Sequence, residues 1–441
     1  MKKRTRFIYN TALLTASGLL MRCIGCAFQV WLAGRIGADG IGLYQLMGSA
    51  AGLAVTFAVS GIGFGTMRLV SEQLGHDSTK GAFAAAGCCL LYALVFGCGS
   101  GLLLYRFAEP IGFLWIGDGR TVLPLRIIAA QLPCIAISAV FSAYFTACGR
   151  ITAATLTGFA QQLMNVGLTW ALLRTVPDSD IAKNCACIAL AGALSEAAGC
   201  LVLAVLYLAD RFRHPSTGTV TRPLMGRLLG ISLPLAISAY TRSGLSTLQH
   251  MLTPAGLRSA GLTSAQALSA YGIVHGMTLT VIYFPTCVLH VVAQLLIPHL
   301  TELQVKGRTA QIEQRCAKML QLAMWYAAAM AVLLFVLADA IALGIYDTRA
   351  VADYIRILTP LVPVIYLDII VDGCLKGLDL QLWSMGINIL ESAVSVALTW
   401  LLVPKYGIGG FVAVIYFNEL FNFALSYWKL GSHCNPLRQR V

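Results

Sequence analysis

The sequence predicts an all-α polytopic membrane protein with about twelve transmembrane helices in two pseudo-symmetric six-helix lobes. The prediction rests on the composition, on the long apolar runs and on an internal repeat. Of the 441 residues, 58% are apolar and 11% are charged, whereas soluble domains carry about 25% charged residues. A soluble chain of this length would need more charged side chains to cover its surface, so lipid must be the solvent for much of it.

Twelve stretches satisfy the rule that a transmembrane helix needs about 20 mostly apolar residues. They are 9–33, 43–67, 82–105, 123–147, 152–175, 187–209, 228–252, 270–298, 316–338, 355–376, 381–403 and 409–429. Each is expected to be helical, because every backbone polar group in lipid has to be hydrogen-bonded within its own segment. The first run, 8–34, is too long for a secretory signal and has no small-residue cleavage site, so it is interpreted as a retained span.

The positive residues predict the orientation of the chain. With the N-terminus in the cytoplasm, nineteen lysines and arginines fall on the inner side and ten on the outer side, and Arg22 and Arg242 complete the 31. This asymmetry predicts a multi-pass plasma membrane protein with both termini cytoplasmic. The formal charge of +12 is therefore an orientation signal. No basic patch with interleaved aromatic residues indicates a nucleic-acid partner.

An internal repeat supports the division into two lobes. A shift of 230 residues aligns Arg126-Ile127 with Arg356-Ile357, Pro133 with Pro363, and Leu168-Thr169-Trp170 with Leu398-Thr399-Trp400. The lobes are then 1–209 and 228–441, joined by a basic cytoplasmic linker, 210–227. An even number of spans in each half makes the repeat parallel, as in alternating-access transporters with a site between their lobes.

Two arginines lie deep in predicted spans. Arg22 is about 20 Å from Tyr9 along its helix, and Arg242 is about 22 Å from Arg227, at the helical rise of 1.5 Å per residue. At mid-bilayer each arginine costs at least about 2.5–3.5 kcal/mol. A guanidinium is a planar fork of donors suited to phosphate, so Arg22 and Arg242 are predicted to form an anion site facing the space between the lobes.

Other interpretations of the arginines stay open. Each could instead pair with a carboxylate of the bundle, such as Glu196 or Glu419. Arg68, at the cytoplasmic end of the second helix, is a third candidate for binding an anionic substrate, or an ordinary residue of the positive inner side.

Acidic residues inside the predicted spans suggest ion coupling. Asp368 and Glu391 are isolated mid-bilayer carboxylates, whose burial becomes tolerable when a proton or a sodium ion neutralises them. Asp372 lies four residues before Lys376, so a local ion pair is predicted there. No other cofactor is expected.

The sequence gives no sign of an enzyme. It contains no P-loop of the form G-x-x-x-x-G-K-[ST], so ATP is not predicted to drive the protein. No catalytic Ser/His/Asp set, metal constellation or disulfide framework emerges, and a monomer is expected. A membrane glycosyltransferase or polymerase would normally carry a catalytic carboxylate pair in a sizeable outer loop, and the longest outer loops, 105–122 and 338–354, are short.

Several stretches, spread over nearly the whole chain, have a recognisable pattern. They are residues 13–25, Arg35-Ile-Gly-Ala-Asp-Gly-Ile-Gly-Leu-Tyr-Gln-Leu46, Ser60-Gly-Ile62, Arg68-Leu-Val-Ser-Glu-Gln-Leu-Gly75, Leu123-Pro-Leu-Arg-Ile127, Tyr271-Gly-Ile-Val274 and Phe284-Pro285. These stretches resemble the family of stage V sporulation protein B, within the multidrug/oligosaccharidyl-lipid/polysaccharide exporter superfamily.

This resemblance implies a flippase that moves an undecaprenyl-pyrophosphate-linked sugar across the membrane by alternating access. Family members place arginines of their first helices in a central cavity, which implies that role for Arg22 and Arg242. The chain departs from many relatives in having twelve rather than fourteen predicted helices. Asp368 and Asp372 are also unexpected for the family. The alternative is a cation-coupled drug or organic-cation antiporter of the same superfamily, which would need an acidic site.

Overall fold

The structure is a computed structural model that describes residues 2–75, 78–177, 180–213 and 224–433. Those residues form fifteen α-helices joined by short turns. The helices are α1 Lys2–Val59, α2 Ile62–Gly75, α3 Thr79–Pro110, α4 Val122–Ala147, α5 Ile151–Leu173, α6 Ile181–Arg213, α7 Leu224–Ser259, α8 Ser264–Tyr271, α9 Leu279–Tyr283, α10 Thr286–Val305, α11 Thr309–Val336, α12 Ala338–Tyr346, α13 Arg349–Leu358, α14 Val362–Gly377 and α15 Gln381–His433. Two π-helical segments, Ile111–Ile116 and Gly272–Thr278, continue α3 and α8.

Eight helices of the described chain are long and apolar enough to cross a membrane, or nine if the bent pair formed by α8–α9 and α10 is one span. The count is lower than the predicted twelve for two reasons. Two pairs of predicted spans each lie within one kinked helix that is counted once, and α5 is too polar to qualify because it carries Gln161, Gln162 and Asn165.

The connections predicted between the first two spans and between the last two are tight kinks. Helices α1 and α15 each join two helical segments at one glycine with non-helical backbone angles: Gly37 in α1 (φ 73°, ψ 179°) and Gly407 in α15 (φ 58°, ψ −132°). Glycine lacks a Cβ and adopts this conformation at little cost. The predicted second span, 43–67, is in turn interrupted at Ser60 and Gly61, which both have positive φ.

The eighth predicted span, 270–298, is bent by 55° between Tyr283 and Thr286. Pro285 lies at the bend and has no N–H to donate to the preceding turn. The Pro285 carbonyl accepts a hydrogen bond of 2.9 Å from Tyr326 Oη.

The chain divides into two compact units. Unit 1 comprises Met1–Met21 and Leu46–Thr247, and unit 2 comprises Arg22–Gln45 and Leu248–Val441. The predicted lobe boundaries stay a prediction, and most of the predicted linker, 214–223, lies outside the described residues.

The two units share local features at the predicted register of 230 residues. Gly117, which ends the first π-helical segment, has left-handed backbone angles, and so does Asp347, which ends α12. Thr169 and Thr399 are both fully buried. These equivalences agree with the repeat inferred from the arginine, proline and tryptophan positions.

Candidate functional site

Close packing of α14 on α10 forms one wall of a polar cavity in unit 2. A Cβ on Gly373 would lie 2.9 Å from Ala293 Cβ, and a Cβ on Gly377 would lie 3.0 Å from Leu300 Cβ. Two glycines one turn apart let helix backbones approach closely, as small residues do in membrane helix pairs. The polar side chains of α14 thereby come to line the cavity between α10, α14 and α15.

This cavity has a volume of about 360 Å³. Its lining is unusually rich in charged and amide groups for a site within apolar helices. The polar lining residues are His290 and Gln294 of α10, Asp368, Asp372 and Lys376 of α14, and Ser384, Asn388, Asn422 and Ser426 of α15.

One of the two cavity carboxylates is fully partnered. Lys376 Nζ donates to Asp372 Oδ2, and Ser384 Oγ donates to Asp372 Oδ1 at 2.5 Å. The local ion pair predicted from the four-residue spacing is therefore confirmed. Because Asp372 neutralises Lys376, this lysine leaves little positive charge for the rest of the cavity.

Asp368 is different, because its Oδ1 is buried and has no hydrogen-bond partner among the described residues. Asp368, Glu391 and Glu419 are close enough for their charges to interact. Glu419 accepts a hydrogen bond of 2.7 Å from Tyr283 Oη. Three carboxyl groups thus share one region of unit 2, and Asp368 lines its cavity. A bound cation or a proton would relieve their mutual repulsion.

Two asparagines complete the cavity wall. Asn422 Nδ2 donates to Asn388 Oδ1 at 3.1 Å, and Ser426 Oγ donates to Asn422 Oδ1 at 3.3 Å. The amides join the two segments of α15 on either side of the Gly407 kink, and they offer oxygen atoms that a cation could use. Sequence analysis did not single out Asn388 and Asn422. Their signal was a polar side chain within an otherwise apolar span.

Arg242 lies on a face of α7 that leaves its side chain exposed. Tyr240 and Ser243 instead face α1: the Tyr240 ring stands 4.3 Å from that of Phe57, and Thr56 Oγ1 donates to Ser243 Oγ at 3.2 Å. Successive residues of a helix are rotated by about 100°, so Arg242 lies outside the face that packs against α1. No ion pair joins it to any described residue, so its guanidinium is available to an anion.

The backbone of Arg22 is part of α1, and its side chain lies outside the described residues. Glu196 and Glu419 were the carboxylates predicted as possible partners of the two arginines, and both have other neighbours. Glu419 bonds Tyr283, and Glu196 accepts a hydrogen bond from Gln161 Nε2.

Arg68 belongs to a small ion-pair cluster in unit 1. Its Nε lies 3.5 Å from Glu72 Oε1, the same atom that Arg227 Nη2 approaches at 2.9 Å. The Arg68 side chain is 55% exposed, so it could still bind a phosphate. A phosphate bound there would compete with Glu72 for the Arg68 guanidinium, so Arg68 is a weaker candidate for the anion site than Arg242.

The fold matches that of solved membrane transporters. The structure superposes with a TM-score of 0.69 on an inward-facing multidrug resistance MATE family transporter of the MOP superfamily, at 14% identity over 96% of both chains. It also matches a Pyrococcus furiosus MOP superfamily transporter whose binding pocket has reversed polarity, with a TM-score of 0.64, 14% identity, and coverage of 95% of this chain and 93% of the other. The prediction of an all-helical, multi-pass membrane fold is confirmed.

Sequence similarity then gives the family. The family model "Polysaccharide biosynthesis protein" matches residues 7–253, more than half of the chain. The chain belongs to this family. It is also 25% identical over 423 residues to stage V sporulation protein B of Bacillus subtilis (strain 168), covering 93% of this chain and 80% of that protein. The family predicted from the sequence is therefore confirmed.

Proposed function

We propose that this protein is a plasma membrane flippase that moves a lipid-linked sugar pyrophosphate by alternating access. Arg22 and Arg242 bind the pyrophosphate, and Arg68 contributes where the substrate enters from the cytoplasm. Both termini lie in the cytoplasm, and the protein works as a monomer without ATP.

The observation that carries this proposal is the exposed, unpaired guanidinium of Arg242 within an apolar helix of a polysaccharide biosynthesis family member. An arginine at mid-bilayer depth is expensive and is retained where it meets a partner. Since no described carboxylate pairs with Arg242, an anionic substrate is the partner that fits. A pyrophosphate provides the oxygen geometry that a guanidinium binds with two parallel hydrogen bonds.

The test is translocation of a labelled lipid-linked sugar pyrophosphate in vesicles reconstituted with equal amounts of each variant. We expect the Arg22→Ala, Arg242→Ala double variant to lose most of its flipping. Wild-type flipping by a correctly folded double variant would refute the proposal.

We further propose that Asp368 and Glu391 bind the cation that drives the cycle. The unpartnered Asp368 oxygen, next to carboxylates that repel one another, supports this role. Occupancy by sodium or a proton would stabilise the cluster, and loss of the cation would destabilise it. A transporter can use this difference to couple an ion gradient to conformational change.

A second candidate function is supported by the same cavity. A volume of about 360 Å³ falls in the range of small-ligand pockets, and its acidic lining suits an organic cation. The protein would then be a cation-coupled drug or organic-cation antiporter. Saturable binding of a tetraphenylphosphonium probe that Asp368→Asn abolishes, together with no flipping of lipid-linked sugar, would favour this alternative.

A further inference from the structure

Unit 2 contains a pair of histidines that neither proposed site uses. His275 lies in the π-helical segment Gly272–Thr278, and His250 lies on α7. Their ring centroids are 4.6 Å apart with an interplanar angle of 85°. Tyr271 joins the pair: its ring stacks on His275 at 5.2 Å, and its hydroxyl lies 2.9 Å from His250 Nδ1. π-helical turns occur often at functional sites.

The surroundings hold this group rigidly. Tyr271 is 1% exposed, and the other side of its ring faces Phe411 at 6.1 Å. A Cβ on Gly272 would lie only 2.1 Å from the Ala38 carbonyl oxygen, so the π-helical segment touches the backbone of α1. His275 Nδ1 is buried with no hydrogen-bond partner among the described residues. Buried polar atoms are normally satisfied, and an imidazole nitrogen can meet this need by taking up a proton.

No described carboxylate contacts the two imidazoles. Helix α13, which packs on the π-helical segment, buries only apolar side chains there; its Asp353 is exposed and its Arg356 pairs with Asp339. Other titratable or charged residues of the elements packed around the pair include Tyr354 of α13, Arg35, Asp39, Cys26 and Tyr44 of α1, Arg258 of α7, Tyr283 of α9, and Lys405 and Tyr406 of α15, whose Phe411 faces Tyr271. Two imidazolium ions at this separation would repel each other, so the pair accommodates one proton at a time.

A small pocket connects the histidine pair to the carboxylate cluster. It has a volume of about 180 Å³ and is lined by Cys26, Gln29, Gln45, His275, Leu279, Thr280 and Tyr283. This is room for several water molecules, each of which occupies about 30 Å³ in the liquid. His275 and Tyr283 both line the pocket, and the Tyr283 hydroxyl donates to Glu419 Oε1 at 2.7 Å.

We propose that His250 and His275 together bind one exchangeable proton, which passes through water in this pocket and the Tyr283 hydroxyl to Glu419. The imidazolium N–H bond breaks as a water molecule takes the proton. Tyr283 Oη then accepts a proton from water and releases its own to the Glu419 carboxylate, so only N–H and O–H bonds change and no oxidant is needed. The proposal deepens the cation-coupling role of unit 2, on which it rests, by naming the ion as a proton.

The experiment follows protons directly and needs no transport substrate. Full-length protein in nanodiscs is subjected to a pH jump, and the infrared carbonyl band of protonated Glu419, identified by its loss in Glu419→Gln, is followed in time. We expect Tyr283→Phe and His275→Gln to slow protonation of Glu419 by about a hundredfold, the scale of positioned proton transfer. The matched control is Tyr326→Phe, which removes a hydroxyl bonded to the Pro285 carbonyl and should leave the rate unchanged.

A second measurement addresses the pair itself. ¹⁵N-histidine spectra should show that His250 and His275 titrate as a coupled pair, and that His275→Gln shifts the midpoint of His250 by about one pH unit or more. If His275→Gln does not fold, His250→Gln serves in its place, with His275 observed. Unchanged Glu419 protonation rates in folded Tyr283→Phe and His275→Gln, or histidines that never take up a proton, would overturn the proposal. Failure of sugar flipping alone would leave these readouts intact and would count only against the flippase function.

Discussion

Arg356 repeats in unit 2 the ion pair that Arg126 makes in unit 1. Arg126 Nη2 lies 2.7 Å from Glu109 Oε1, and Arg356 Nη2 pairs with Asp339 Oδ2. Each acid precedes its arginine by 17 residues, so the 230-residue register that aligns the arginines also aligns their partners. The repeat therefore extends from sequence letters to side-chain contacts within each unit.

These two ion pairs should contribute equally and weakly to stability. Both are well exposed, at 37% and 60% for Arg126 and Glu109 and at 36% and 59% for Arg356 and Asp339. Exposed pairs contribute about 0.2–1 kcal/mol. Double-mutant cycles of thermal unfolding with alanine at each position should give coupling energies in this range for both pairs. A coupling several times larger at one site only would contradict the structural equivalence.

Substitution of Arg242 should have graded effects on flipping. Lysine keeps the positive charge but loses the bidentate fork, so we expect Arg242→Lys to be partly defective and Arg242→Ala to be severely defective. Translocation of a labelled lipid-linked sugar pyrophosphate in vesicles is the measurement. Arg258→Ala is the matched control, because Arg258 lies in the last turn of the same helix. Equal activity of the lysine and alanine variants would show that the fork has no role.

Neutralising the carboxylates should uncouple transport from its ion gradient. In Asp368→Asn and Glu391→Gln, we expect transport driven by a proton or sodium gradient to fall to the rate seen without a gradient. Exchange at equal ion concentrations should persist, because the substrate site is separate. Glu109→Gln, which removes an exposed acid outside the cavity, is the control. Full gradient dependence in both cavity variants would exclude this coupling site.

Close packing at Gly373 makes a stability prediction. In Gly373→Ala the new Cβ would lie 2.9 Å from Ala293 Cβ, so α14 and α10 must separate, and overpacking of this kind costs about 1–3 kcal/mol. Gly386→Ala is the control, since nothing lies within 4 Å of its new Cβ; in a helix this change should be neutral or stabilising by about 0.4–1 kcal/mol. The thermal unfolding midpoint of each variant can be measured by gel filtration with fluorescence detection. Equal midpoints for Gly373→Ala and Gly386→Ala would contradict the close contact between α14 and α10.

The predicted orientation can be tested with single cysteines in a cysteine-free background. A membrane-impermeant maleimide applied to intact cells should label a cysteine at Arg120 and should not label one at Arg211 or Lys306. Labelling at Arg211 or Lys306 before the cells are permeabilised would reverse the assignment of both termini.

The features that sequence predicted well are those with local or periodic signals. Apolar runs located the helices to within several residues, and the spacing of Asp372 and Lys376 is sufficient to bring their charges together on one helix face. The 230-residue register also survives in the structure, because arginine, proline and tryptophan are rare enough in apolar helices for their alignment to carry information.

Features that depend on tertiary contacts could not be read in the same way. The bond between Tyr283 and Glu419 joins residues 136 positions apart, and it exists only because unit 2 packs α9 beside α15. The π-helical turn at His275 leaves no periodic signal, since it differs from an α-helix only in its hydrogen-bond register. Glycine occurs 42 times in the sequence, so nothing local marked Gly37 and Gly407 as the residues with non-helical backbone angles.

The division of the chain into two compact units has a consequence for biosynthesis. Residues 22–45 are made early but belong to unit 2, most of which follows residue 247, whereas the first part of α7 belongs to unit 1. Each half of the polypeptide therefore contributes one segment to the unit that is formed mainly by the other half. Domains usually fold as the ribosome releases them, starting from the N-terminus. Here residues 22–45 have to wait in lipid until the helices after residue 247 are inserted before unit 2 is complete.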